Sequence, residues 1–228
     1  MRRMDGINTR LAETYRAGHV LLLGDAAHVH SPMGGPGLNL GLQDTVNLGW
    51  KLAAEVNGWA PAGLLDTYES ERRPVGERVM MQSLTQQALM APGPEVDAMR
   101  TLFGELLEKP QVRDHMAHLL AGSDVRYDVG DAHPLSGRLV PDLVLDDGRR
   151  VAELMHDARP VLLDLSGTLE VEHDRVDVVI GTMADRPAAA MLIRPDGYVA
   201  WASGGVGAAE LPNLIAALER WFGPARAG

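Results

Sequence analysis

The chain has 228 residues, 46% of them hydrophobic, and a formal net charge of −10, which allows one large domain or two small ones. Its acidic balance, with no basic stripe interleaved with aromatics, argues against a phosphate-backbone partner, so no nucleic acid is expected. The lack of cysteine excludes disulfides, thiolate zinc sites and thiol redox chemistry. Polar residues follow Met1-Arg2-Arg3-Met4 and no run is long enough to span a bilayer, so the expectation is a cytoplasmic protein with no signal peptide and no membrane partner.

In chain order, "HVLLLGD" (His19 to Asp25) predicts a short buried strand that ends in a turn, because four apolar residues lie between Gly18 and Gly24. A glycine loop follows. From Asn39, a plausible N-cap, the pattern is helical: Leu38, Leu42, Val46, Gly49, Ala53 and Val56 recur at spacings of three and four, and Gly58 can close the helix. A second helix is expected from Asp66, with Glu69 completing a capping box and Pro74 kinking or interrupting it. Helix is expected again over Val75 to Met90 and from Glu95 to about Leu120, with "APGP" between. Apart from its one strand, this half should be helical.

The stretch Gly122 to Asp142 is rich in turn formers and reads as a connection. Four strands are expected after it, in "PVLLDLS" from Pro160, "VDVVIG" from Val176, "AAAMLIR" from Ala188 and "YVAWAS" from Tyr198. The last two should form a hairpin through "RPDGY", where Pro195 is pre-set for the bend and Gly197 can take a positive φ. A terminal amphipathic helix carries Leu211, Leu214, Ile215, Leu218 and Phe222 and stops at Gly223. The resulting class is α/β. The expected division is a first domain over residues 1–122, a linker over 123–137 and a second domain over 138–228.

The segment "GDAAHVHSPMGGPGLNLGLQD", Gly24 to Asp44, concentrates the chemistry. One reading is a well-packed connection whose glycines only allow close backbone approach. The other is a ligand site. Gly34, Gly35 and Gly37 leave backbone N–H groups uncovered, the following helix offers its unpaired N–H groups and the positive end of its dipole, and Asp25 can accept bonds from ligand hydroxyls. Such a site suits a cofactor with both a polyol and an electron-rich ring. It does not suit a triphosphate, since no G-x-x-x-x-G-K-[ST] pattern is present.

"LLLGDAAHVHSPMGGPGLNLGLQDTVNLGWKLA", Leu21 to Ala53, resembles the second FAD-binding signature of the class A FAD-dependent aromatic hydroxylases, the monooxygenases related to p-hydroxybenzoate hydroxylase. The members that hydroxylate aromatic polyketides are the most similar. The GD pair, A-x-H, P-x-G-G-x-G-x-N and N-L-x-W-K-L occur in the family's order, and "TYESERRPVG" resembles its Y-x-x-E-R-x-P segment. The resemblance implies that Asp25, after Gly24, hydrogen-bonds the ribityl chain of FAD. It implies that Pro32 to Gly35 line the flavin ring, and that the backbone of Gly37, Leu38 and Asn39 meets the pyrimidine edge. A helix N-terminus there stabilises the negative charge of reduced flavin. It further implies NAD(P)H as reductant, hydroxylation of an aromatic, polyketide-type small molecule, and a thioredoxin-like second domain, which without cysteine would serve packing or subunit contact. Pro36 departs from the glutamine of many relatives and removes one backbone N–H at the flavin edge.

The family's opening βαβ unit with G-x-G-x-x-G does not occur in this sequence. The expectation is therefore the C-terminal half of such an enzyme, truncated or split, completed by a partner that supplies the N-terminal half or covered in a homodimer. The alternative is a non-catalytic remnant or interaction protein with a vestigial flavin loop. No side chain qualifies as a catalytic acid or base, and none is named. No metal site is expected either: His28 and His30 lack a third ligand nearby, and His115 and His118 read as a solvated helix face.

Overall fold

The structure is a computed structural model and describes residues 9–31 and 35–225. The chain divides into two compact units, Met1–Leu48 with Asp66–Asp124, and Gly49–Leu65 with Val125–Gly228.

The first unit opens with four two-residue strands: β1 (Arg10–Leu11), β2 (Arg16–Ala17), β3 (Val20–Leu21) and β4 (His28–Val29). β1 pairs antiparallel with β4, and β2 with β3. The β2–β3 hairpin turns at Gly18, whose φ of +61° suits a residue without Cβ. The buried strand expected over His19 to Asp25 is thus only Val20–Leu21. With β2 as its one neighbour among the described residues it is not enclosed: Val20 is 61% exposed. Gly24–Ala26 forms a 3₁₀ turn.

Helix α1 (Pro36–Val56) begins three residues ahead of the expected Asn39 cap. Proline at the first helical position loses an N–H that no intrahelical acceptor would have met, and its fixed φ suits the helix. The face it buries is also not the expected one. Leu38, Leu42, Val46, Gly49, Ala53 and Val56 are all exposed, whereas Leu40, Asp44, Asn47, Lys51 and Ala54 are buried. The buried stripe keeps helical spacing but is largely polar, and its polar groups find partners distant in sequence. Asn47, for example, donates to Glu71 at 2.7 Å. Gly58, at φ +71°, follows the helix as expected.

Helix α2 (Thr67–Met90) runs through Pro74 without interruption. The lost backbone bond is offset by buried neighbours, since Glu71 and Arg72 just before the proline are both anchored to α1. No capping box forms. The Glu69 carboxylate instead accepts the backbone N–H groups of Tyr15 and Arg16 at 2.7 and 2.8 Å, and Asp66 pairs with Arg16. The expected helix from Glu95 to Leu120 is two helices, α3 (Pro94–Leu107) and α4 (Pro110–Ala121), because Pro110 starts a new first turn.

In the second unit, strands β5 (Val161–Asp164), β6 (Asp177–Ile180), β7 (Ala190–Ile193) and β8 (Val199–Ser203) form one sheet in the order β6-β5-β7-β8. β5 and β6 are parallel, and β5–β7 and β7–β8 are antiparallel. This is the expected outline of two strands, a hairpin and a final helix, α5 (Leu211–Phe222). Gly197 takes φ +82° in the hairpin turn. Val161, Leu163, Met191, Ile193 and Val199 form the core with Leu145 and Val151. α5 buries Leu214, Leu218, Trp221 and Phe222, while Leu211 and Ile215 stay about 40% exposed. Tyr127 stacks on Tyr198 with ring centroids 4.1 Å apart.

Candidate functional site

The candidate site lies in the first unit, where the Gly24–Ala26 turn faces the first turns of α1. Gly24 has φ +55°, a left-handed conformation that strains any residue with a Cβ. Its Cα also packs on α1, since a Cβ on Gly41 would stand 3.3 Å from it. The backbones can touch only because both residues are glycine. Asp25, the next residue, is exposed, and among the described residues its carboxylate has no hydrogen-bond partner.

Across from it, Gly35 adopts φ +69° with open space where a Cβ would lie. Gly37 lies close to His30: a Cβ on it would meet the imidazole at 3.3 Å. That ring holds its Nδ1 2.8 Å from the Ser31 carbonyl, which accepts the N–H. Gly37, Leu38 and Asn39 occupy the first turn of α1, where backbone N–H groups have no intrahelical acceptor. Leu38 and Asn39 are exposed. Pro32, expected at the flavin ring, and Gly34 lie outside the described residues.

Behind this surface sits a buried ionic cluster that sequence reasoning did not single out. The Asp44 carboxylate accepts from Arg72 Nε at 2.7 Å, lies 2.7 Å from His28 Nε2, and accepts the Gly24 N–H at 3.1 Å. All three side chains are at most 2% exposed. Burial by itself would push the Asp44 carboxyl up, but the His28 hydrogen bond, the Arg72 guanidinium and the Gly24 N–H outweigh it and hold it below the usual carboxylate range. The available signals were the Gln43-Asp44 end of the glycine segment and the Glu71-Arg72 pair, with Asp44 and Arg72 complementary in charge and 28 residues apart. Nearby, burial raises the Tyr15 and Tyr68 hydroxyls far above the ordinary phenol value, keeping both neutral. His28 and His30 do not converge, His28 turning to Asp44 and His30 to Ser31.

The residues present fit part of a flavin nucleotide. An exposed carboxylate suits the hydroxyls of a polyol, and a helix N-terminus suits an anionic ring edge. A strand–turn–helix glycine motif for a pyrophosphate does not occur in the sequence.

Comparison with known proteins defines the class. The FAD binding domain family matches residues 2–83, and the family described as aromatic-ring hydroxylase, C-terminal, matches residues 133–225. Taken with the fold, these matches make the chain similar to the C-terminal half of the FAD-dependent aromatic hydroxylases. A rifampicin monooxygenase of Streptomyces venezuelae is 48% identical over 98% of this chain and 46% of its own length. The solved anhydrotetracycline hydroxylase OxyS of Streptomyces rimosus superposes with a TM-score of 0.88 at 45% identity, over 96% of this chain and 47% of that one. CabE, an aromatic hydroxylase from angucycline biosynthesis, gives 0.87 at 47% identity, over 97% and 48%. The chain therefore spans about half the length of the curated relatives it matches. Among the described residues, no helix is long and apolar enough to cross a membrane.

Proposed function

We propose that this chain supplies the flavin-ring side of an FAD- and NAD(P)H-dependent monooxygenase that hydroxylates an aromatic small molecule of polyketide type in the cytoplasm. The observation that carries this reading is the pairing of an exposed Asp25 carboxylate, unpartnered among the described residues, on a left-handed glycine turn with the N-terminus of α1. The names of the relatives support the substrate class.

In this reading Gly24 and Asp25 hold the ribityl chain, Pro32 and Gly35 border the ring, and the backbone of Gly37, Leu38 and Asn39 meets the pyrimidine edge. When bound, the flavin supplies the reduction by NAD(P)H and the activation of O2 that hydroxylation requires. The chain's own residues bind and orient. The N–H groups of α1 favour negative charge at the ring edge, and Asp25 fixes the polyol. Pro36 contributes no N–H, and since it stands at the first helical position the donors after it remain available.

The exposed apolar side chains Leu38, Leu42 and Val46 on α1 support a completing partner, either an N-terminal half with the family's βαβ unit or a second copy. They equally favour the second reading, an interaction protein that no longer uses its flavin loop. Titration with FAD separates the two readings. It should be followed by visible absorbance, with the chain alone and mixed with the separately produced N-terminal half of the Streptomyces venezuelae relative. Saturable micromolar binding in the mixture, lost in Asp25→Ala, is the expected result. Absence of binding in both settings rejects the flavin reading in favour of the interaction protein.

A further inference from the structure

The segment from Gly24 to His28 is held at both ends by one carboxylate. Asp44 Oδ2 accepts the Gly24 N–H at 3.1 Å and lies 2.7 Å from His28 Nε2, so the turn that carries Asp25 is closed by a side chain of α1. The turn's own backbone bonds are equal in number and in part longer, Ala27 N–H to the Gly24 carbonyl at 2.9 Å and Ala26 N–H to the Leu23 carbonyl at 3.3 Å. Asp44 is itself immobilised. Arg72 Nε donates to its other oxygen at 2.7 Å, and Arg72 Nη2 reaches the Leu40 carbonyl and the Gln43 side chain, both at 3.3 Å.

Building on the flavin reading above, we infer that Asp44, clamped by Arg72 and His28, is a positioning residue that presents Asp25 to the polyol of the cofactor. The chemistry suits the task. A left-handed turn in water samples many conformations, and a charge-assisted acceptor on its first N–H selects one. A fixed carboxylate at Asp25 then binds without the cost of first being ordered. The neighbouring Asp25 has no partner of its own among the described residues, so its placement depends on the backbone on either side.

The test uses the full chain and three variants, Asp44→Asn, Asp44→Asn with Arg72→Gln, and Asp25→Ala. Two readouts are taken: amide hydrogen exchange of residues 22–30 without ligand, and the FAD titration described above with the N-terminal half present. Asp44→Asn is expected to speed exchange in 22–30 at least tenfold and to weaken FAD at least tenfold, while exchange in β5–β8 is unchanged. Asp25→Ala should weaken FAD similarly and leave the exchange of 22–30 as it was, which separates binding from positioning. The double variant guards against a chain that fails to fold with an unpaired buried guanidinium. Asparagine has one acceptor oxygen, which Arg72 holds in the single variant; without the guanidinium in the double variant that oxygen can turn to the Gly24 N–H, so part of the protection and part of the affinity should return. Exchange or FAD affinity within threefold of the unaltered chain in Asp44→Asn, or a double variant that folds and recovers neither, overturns the inference. If the unaltered chain binds no FAD, the flavin reading fails, and the exchange comparison still decides whether Asp44 fixes the turn.

Discussion

Arg194 offers a sharp test of how the second unit is held together. Its side chain is fully buried, with the guanidinium 4.5 Å from the ring centroid of Trp221 and 5.5 Å from those of Trp50 and Tyr127. Arg194 Nε donates to Asp196 at 3.0 Å, and Asp196 also accepts from the Trp50 indole at 3.2 Å. Arg194→Met keeps much of the apolar stem and removes the cation that pairs with the nearly buried Asp196 carboxylate. Breaking a buried pair from one side costs about 3–5 kcal/mol, and loss of the desolvated ring contact about 2 kcal/mol. These overlap, so the expected loss is about 4 kcal/mol. With a urea slope of about 1–3 kcal/mol per molar, the midpoint should fall by more than about 1 M. Tryptophan fluorescence is the right probe, because Trp50, Trp59, Trp201 and Trp221 all belong to the second unit. Adding Asp196→Asn removes the carboxylate that has lost its bond to Arg194 and should recover at least about 1 kcal/mol. A single variant that loses less than about 1 kcal/mol, or a double variant no better than the single, would refute the claim that the broken Arg194–Asp196 pair sets the cost.

Two further outcomes follow from the same kind of reasoning. Gly76→Ala should destabilise the first unit by about 1–3 kcal/mol although alanine is the better helix former, because its Cβ would crowd the buried Tyr15 hydroxyl and stand 3.0 Å from Leu11; a thermal melt followed by far-ultraviolet circular dichroism checks this, and a rise in the midpoint contradicts it. Burial by itself would raise the Asp164 carboxyl, yet the Ser166 hydroxyl and the N–H groups of Leu169, Ser166 and Gly167 hold it below its ordinary value. The folded value lies below the unfolded one, so this contribution is complete above about pH 4 and is lost as pH falls through the folded value. The urea midpoint should drop on the acid side, with a shallower drop in Asp164→Asn than in the unaltered chain, and equal slopes would count against the assignment.

What was legible in the sequence is what backbone conformation dictates locally. Pro195 and Gly197 announced the β7–β8 turn, Gly58 and Gly223 the helix ends, and Gly24-Asp25 the bend that carries the candidate site. Each depends on a φ value that few residues adopt, so composition alone exposes it. Glu69 was misread because a capping box and a long-range acceptor need the same residue at the same place. Its carboxylate found the N–H groups of Tyr15 and Arg16, more than 50 positions away, a competition that no local rule scores.

The misreading of α1 bears most on function. Periodicity shows that Leu38, Leu42 and Val46 share a face, and it assumes that a shared apolar face is the buried one. Here the stripe one step round the helix is buried, since Asp44 and Asn47 meet Arg72, His28 and Glu71, and polar groups that are hydrogen-bonded can be enclosed at a reduced cost. The helix thus has two working faces. Its polar face fixes the Gly24–Asp25 turn through contacts within the first unit. Its apolar face remains exposed beside the candidate site, on the surface a completing partner would need to cover. A charge at the exposed Val46 would consequently be tolerated by the fold, whereas a change at Asp44 would be felt by the turn itself.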